Sequence, residues 1–246
     1  MERLELEIDI KLQKYVSDCG LMSRRAAEKE IAQGFFEING VKAGIGDRIN
    51  PKTDVINYKG KPLKNINRKI YICLNKPTGY VTTLSDEKGR KNISELVADV
   101  RQRVYPAGRL DMDSEGLIIC TNDGEFANML MHPSGNLKKV YTVVVKGKIE
   151  NSTIDALRSM KILDEEKLAP VEVELLERNE SSSKLKMVLS EGKNRQIRRM
   201  CEHFSLSVIQ LKRISIGKVF LGSLESGKWR NLTKEELSSL NKKRLK

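Results

Sequence analysis

The sequence predicts an α+β protein in two parts. A small N-terminal domain covers residues 9–66, and a larger one over 69–246 holds a mixed, mainly antiparallel central sheet flanked by helices. Three observations predict it. Strand-like runs outnumber helical ones and lack the alternation that builds a parallel sheet. Asn39-Gly40 stands between two short β-rich runs, and this dipeptide favours the positive φ values of a two-residue hairpin. The polar, basic stretch Lys61–Lys69 then interrupts the pattern and reads as a linker.

Each element has a local reason. Ile10, Leu12, Tyr15 and Val16 line one face of a short helix. Ser23 is an N-cap for a second helix, Arg24–Gln33, which Gly34 closes. Phe35–Val41 holds the hairpin, and Asp54–Tyr58 is a strand before a turn at Lys59-Gly60. Ile70–Leu74 and Gly116–Thr121 are apolar strands, and Asp123 caps a short helix through Met131. Val140–Lys146 is a β-branched strand, and Ser152 caps the helix after it. Val171–Leu176 and Leu185–Leu189 are further strands, and Asn194–Phe204 is a helix with His203 packed on it. Thr233 and Glu236 form a capping box for the last helix.

Composition narrows the class. With 39% hydrophobic and 32% charged residues, the chain reads as soluble and globular. The longest apolar runs, Gly116–Cys120 and Val140–Val145, fall far short of a bilayer span. The opening Met-Glu-Arg-Leu-Glu-Leu-Glu has no basic segment leading into an apolar core, so no secretory signal is expected. Cys19, Cys73, Cys120 and Cys201 are scattered, which fits reduced thiols in a cytoplasm and argues against zinc. The net charge of +12 points to a polyanionic partner such as nucleic acid. Residues 1–66 hold 12 basic and 10 acidic groups, the remainder 33 and 23, so the excess lies in the larger part. Lys193, Arg195, Arg198 and Arg199 belong to that excess.

The most informative segment is Gly108-Arg109-Leu110-Asp111-Met112-Asp113-Ser114-Glu115-Gly116, which runs into the apolar Leu117-Ile118-Ile119-Cys120. Asp111, Asp113, Glu115 and Gly116 match the start of an EF-hand loop, but Asn122 stands where the bidentate Glu belongs and a strand follows. A two-carboxylate metal nuclease lacks further ligands, since His132 and His203 are the only histidines. No metal is therefore expected. A third reading is a nucleophilic carboxylate on a loop shaped by Gly108 and Arg109.

That third reading has a family to match. Gly108-Arg109-Leu110-Asp111 with Asp113–Leu117 and Thr121-Asn122-Asp123-Gly124 resembles the active-site motif of pseudouridine synthases of the RsuA/RluB/RluE/RluF group. Leu74-Asn75-Lys76-Pro77-x-Gly79, Lys139-x-Tyr141-x-Val143, Glu191–Met200 and Gly227-Lys228-Trp229-Arg230-x-Leu232 follow in the family's order. The run Arg198–Phe204 is most like the RluF branch. Residues 11–41 also resemble the S4 RNA-binding domain in the order of their motifs.

The resemblance implies roles residue by residue. Asp111 is the nucleophile, acting on C1′ of the ribose or in elimination to a glycal. Arg198 is its basic partner, and Tyr141 stacks on the target base. Arg109 fills the space left by the flipped nucleotide, or else pairs with Asp113 or Glu115. Lys76 and Pro77 shape the cleft wall. Arg195 and Arg199 are phosphate contacts, as are Lys14, Arg24, Arg25 and Lys29 of the S4-like part, which give affinity without reading sequence. The isomerisation is redox-neutral, so no cofactor is expected. The implied partner is ribosomal RNA, a stem-loop of the large ribosomal RNA, with transfer RNA as a second substrate. A monomer without membrane contact is expected. The rival reading is a non-catalytic S4-type ribosome-assembly factor.

Overall fold

The computed structural model describes residues 9–64, 68–132 and 137–241. The chain's opening segment, the middle of the expected linker and the outer domain limits at 66 and 246 lie outside the described residues. The chain divides into two compact units. The smaller takes the residues up to Ile70 together with Arg101–Arg103 and Asn122–Gly124, and the larger takes the rest. Asn122 shows why those later segments join the smaller unit. Its side chain accepts from Ile70 N at 2.8 Å and donates to Arg68 O at 2.9 Å and Gln102 Oε1 at 3.1 Å.

In the smaller unit β1 (Ile10–Lys11) leads into α1 (Leu12–Asp18), and α2 (Arg24–Ala32) follows. Ser23 caps α2 by accepting from Ala26 N at 3.1 Å. β2 (Phe36–Ile38) and β3 (Val41–Lys42) form the hairpin, with Asn39 at φ 51° and Gly40 at φ 80°. Both values are positive, as a type I′ turn demands. After β4 (Arg48–Ile49) come β5 (Ile56–Tyr58) and β6 (Lys61–Pro62), joined by a second turn of the same kind at Lys59-Gly60. The start of the expected linker is thus a strand. Its Lys and Pro hide it, because β6 is an edge strand where Pro costs no ladder bond. Leu12, Val16, Ala27, Ile31, Phe36 and Ile56 close this unit's core.

The larger unit holds β7 (Tyr71–Lys76), α3 (Ile93–Leu96), β8 (Tyr105–Pro106), β9 (Glu115–Thr121), α4 (Gly124–Met131) and β10 (Lys139–Lys146). Then come α5 (Asn151–Ser159), β11 (Ile162–Leu163), β12 (Glu166–Lys167), β13 (Glu172–Arg178) and β14 (Ser182–Leu189). The chain continues through α6 (Gln196–His203), β15 (Val208–Ile216), β16 (Val219–Phe220), β17 (Trp229–Asn231) and α7 (Lys234–Leu240). The main sheet runs β13-β14-β10-β15-β9-β7-β17, with β16 and β8 attached at β15 and β9. All its pairings are antiparallel except β15–β9, so the fold is α+β with a mixed, mainly antiparallel sheet. No helix among the described residues is long and apolar enough to cross a membrane.

Two cores flank the parallel seam. On β10 and β14, Tyr141, Val143, Leu185 and Met187 share one buried layer with Ile154 and Leu157 of α5 and Ile197 and Met200 of α6. On β7 and β9, Cys73, Leu117 and Ile119 pack with Phe126 and Leu130 of α4 and Leu240 of α7. Several expectations need correction. Ser152 lies inside α5, whose N-cap is Glu150 without a side-chain bond. The α6 helix begins at Gln196, because Arg195 is left-handed at φ 47°. His203 is exposed at the end of α6, its ring against Phe204. Several short strands and two larger features were not expected from the sequence. The short α3 has a capping box formed by Asn92 and Glu95. In the long β15, Gln210, Lys212 and Arg213 mask the alternation.

Candidate active site

The loop Gly108–Ser114 enters β9 at the parallel seam, and three directions of hydrogen bonding hold it. From the end of β7 and the segment after it, Lys76 Nζ donates to Ser114 O at 2.8 Å and Gly79 N donates to Met112 O at 2.7 Å. Thr82 Oγ1 donates to Leu110 O at 2.6 Å and accepts from Leu110 N at 3.2 Å. From α6, Arg198 Nη2 donates to Asp113 O at 2.7 Å. From β15, Arg213 Nε donates to Leu117 O at 2.7 Å, and Gln210 donates to Glu115. The residues on either side of Asp111 are fixed by backbone bonds, while its own carboxylate stays about one-third exposed.

A cleft of about 430 Å³ opens over this loop. Asp111, Arg109, Tyr141, Arg195, Lys139 and Arg213 are among its lining residues. Such a volume suits one base or sugar. Asp113 sits beside the cleft mouth under the fork of Arg195, whose Nη1 and Nη2 donate at 3.2 and 3.1 Å. Burial works against its charge, yet the Arg195 hydrogen bond and the Arg198 and Arg195 charges hold Asp113 below the usual carboxylate range. Lys76 is fully buried, and burial pushes its ammonium down to about 8, against the pull of Asp111, Asp113 and Glu115. Burial likewise lowers Lys139, helped by the Arg213 charge.

Lys76 gives a signed pH prediction. The unfolded chain keeps the lysine proton to about 10.5, while folded Lys76 releases it at about 8. The unfolded state therefore binds more protons in that window, and the Lys76 contribution to stability rises with pH across it. Urea unfolding of wild type and Lys76→Met at about pH 7 and about pH 10 should show wild type gaining on the variant. An unchanged difference would mean Lys76 keeps an ordinary proton affinity.

The structure places the sequence-predicted residues unevenly. Asp111, Tyr141, Arg109 and Arg195 line one cleft. Tyr141 is 8% exposed, and Arg109 is exposed at the rim. The arginine within ion-pair range of Asp111 is Arg195, Nη1 to Oδ2 at 3.6 Å. Arg198 instead sits with Asp113, its Nε 3.3 Å from Oδ2. The reason is spatial: left-handed Arg195 precedes α6 and carries its guanidinium over both carboxylates, whereas Arg198, one turn in, meets the loop at Asp113. Arg199 pairs with Asp164 at 2.8 Å and Glu166 at 3.6 Å, so in this state its charge is already met. Lys14 pairs with Asp18 at 2.8 Å. Arg24, Arg25 and Lys29 are exposed on α2, with no ion pair among the described residues. Sequence reasoning missed Thr82 and Arg213. Arg213 had a signal, since it takes an inward position between Leu211 and Ser215 where alternation asks for an apolar residue.

The sequence profile of one family, described as RNA pseudouridylate synthase, matches residues 70–203, more than half of the chain, and takes in Lys76, Thr82, Asp111 and Arg198 of the anchoring network but not Gln210 or Arg213. The chain belongs to the RNA pseudouridylate synthase family. Similar proteins agree along nearly the full length. An uncharacterized RNA pseudouridine synthase of Aquifex aeolicus is 40% identical over 96% of this chain and 95% of its own. The Bacillus subtilis ribosomal large subunit pseudouridine synthase B is 37% identical over 94% of this chain and 95% of its own. The Escherichia coli dual-specificity RNA pseudouridine synthase RluF is also 37% identical, over 95% of this chain and 79% of its own. Equal identity to these two proteins does not separate their branches. A crystal structure of a pseudouridylate synthase superposes with a TM-score of 0.67 at 29% identity, covering 94% of this chain and 99% of that one. This chain is thus an RNA pseudouridine synthase, and its cleft is the candidate place for the isomerisation.

Proposed function

We propose that this synthase isomerises one uridine of 23S ribosomal RNA in the cytoplasm, with Asp111 as nucleophile and Tyr141 against the flipped base. The observation that carries the reading is Asp111 itself. It is a part-exposed carboxylate held between fixed neighbours, 3.6 Å from Arg195 and in one cleft with a nearly buried tyrosine. A nucleophile needs that combination of access, charge and fixed geometry. Leaving the stack costs the nucleotide a few kcal/mol, which the cleft contacts and the exposed Arg109 at its rim offset. The ribosomal target is supported by the name of the Bacillus subtilis relative, a ribosomal large subunit pseudouridine synthase. A transfer RNA is a second substrate to test. The experiment is tritium release from 23S rRNA transcribed with uridine labelled at C5, followed by mapping of the modified position. No release from 23S rRNA, with release from transfer RNA, would move the substrate.

The smaller unit is assigned to RNA docking as an S4-type domain. The support is α2, where Arg24, Arg25 and Lys29 lie exposed without carboxylate partners among the described residues. Lys14, Arg195 and Arg199 would contact phosphate only after leaving the acidic partners they have here. Arg24→Ala with Arg25→Ala should weaken RNA binding and reduce the slope of log K against log salt by up to about two phosphates' worth. The single-turnover rate at saturating RNA should stay within about tenfold, equivalent to ~1.4 kcal/mol. Unchanged affinity and slope would take this helix off the RNA.

A further inference from the structure

Arg213 lies on β15 at the centre of the larger unit's sheet and is only 4% exposed. Its Nε reaches across the parallel seam to Leu117 O at 2.7 Å. Its Nη2 is buried without an acceptor, and the guanidinium forms no ion pair among the described residues. Burying a permanently charged group with donors unmet is costly and needs a reason. The surroundings make it costlier. Nearby stand fully buried Lys76 and half-buried Lys139, and the Arg213 charge disfavours both ammonium groups. On the acidic side stand Asp111, Asp113, Glu115 and Glu191. Asp111 and Asp113 are held by Arg195, Glu115 accepts from Gln210, and Glu191 accepts from Ala169 N and Gln196. Arg213 therefore lines the cleft floor with no carboxylate of its own among the described residues, its Cζ 6.0 Å from the Tyr141 ring centroid.

The reaction itself creates the missing anion. When the C1′–N1 bond breaks, its electron pair leaves with uracil and spreads onto the two carbonyl oxygens. This holds whether the Asp111 carboxylate bonds to C1′ or removes the 2′ proton. After the base turns, C5 uses a pair of electrons to bond C1′, and the carboxylate is released or the 2′ proton returned. The C5 proton then goes to solvent, and N1 gains one.

We propose that the Arg213 guanidinium is a catalytic residue that donates to a carbonyl oxygen of the target uracil and stabilises the base anion between its departure and its return. Arg213 keeps all its protons throughout. The assignment rests on the cleft being the isomerisation site. A planar guanidinium fits this position because one edge can stay on Leu117 O while the other meets the base. It is an oxyanion-hole donor supplied by a side chain, placed where charge appears only after bond breaking.

The test uses the full-length enzyme, 23S rRNA labelled with tritium at uridine C5, single-turnover release and filter binding. Wild type must release tritium from 23S rRNA or from labelled transfer RNA, and release from neither overturns the reading of the cleft. With wild type active, Arg213→Gln should lose at least about 100-fold in the chemical step, with RNA Kd within about threefold. Arg213→Lys keeps a charge whose proton the burial loosens, so its deficit against wild type should grow at least fivefold between about pH 7 and about pH 9. A merely structural arginine gives no such pH trend. Should Arg213→Gln fail to fold, the pH profile of Arg213→Lys decides alone. Chemical rates within about threefold of wild type, or a Lys deficit flat in pH, overturn the proposal.

Discussion

Asp111→Asn should abolish isomerisation, with the single-turnover rate down by about 10⁴-fold or more and RNA affinity nearly unchanged. The substitution keeps the shape and one acceptor oxygen but removes the negative charge and the nucleophilic lone pair. Ground-state binding should survive, because the substitution leaves the exposed cations untouched, Arg109 at the rim and Arg24, Arg25 and Lys29 on α2. The loop should survive too. Its anchors run from Gly79, Lys76 and Thr82 to Met112, Ser114 and Leu110, and from Arg198 to Asp113, so none uses the Asp111 side chain. Arg195 loses its contact with Asp111 but keeps its fork on Asp113. Single-turnover tritium release and filter binding measure the two halves of the expectation. A rate near wild type would remove Asp111 from the mechanism, and loss of both rate and affinity would make it a binding residue.

The second large effect is on folding. Gly116→Ala should lower stability by about 3 kcal/mol or more and take activity with it. Gly116 sits at φ +105°, and a Cβ there would lie 2.3 Å from Arg213 O and 2.8 Å from Arg213 N. These are backbone atoms of the neighbouring parallel strand, so no rotamer change relieves the clash. Relief must come from parting β9 and β15 at their two paired positions, Lys212 with Glu115 and Arg213 with Gly116. That movement displaces both the loop bearing Asp111 and the guanidinium of Arg213. The expected drop in Tm is roughly 6–12 °C for a protein of this size. Gly108→Ala is the control, at φ +96° with nothing within 4 Å of the added Cβ. It carries the backbone strain without the clash, so its loss should be clearly smaller. Equal losses would assign the Gly116 effect to φ alone.

Local chemistry made much of this protein legible in the amino-acid sequence. The Ser23 cap, the Asn39-Gly40 turn and the Thr233–Glu236 capping box each rest on bonds within a few residues, and each is formed. Strands with unbroken apolar or β-branched runs, such as β9 and β10, announce themselves by burial on the sheet. The family, and with it the RNA pseudouridine synthase activity, was readable from motifs spaced along the whole chain. Pairings between distant segments were not readable. Which arginine stands by Asp111 depends on the left-handed turn at Arg195, a backbone choice that composition does not reveal. That Asn122 ties Ile70, Arg68 and Gln102 together depends on where three separate segments meet. Arg213 drew no reading from the sequence, and only the sheet order shows it buried across from Gly116 and beside Tyr141. The physical reason is common to all three. Caps, turns and strands are decided by energies between neighbours in sequence, while the partner of a charge is decided by which strands the fold brings within a few ångströms of it.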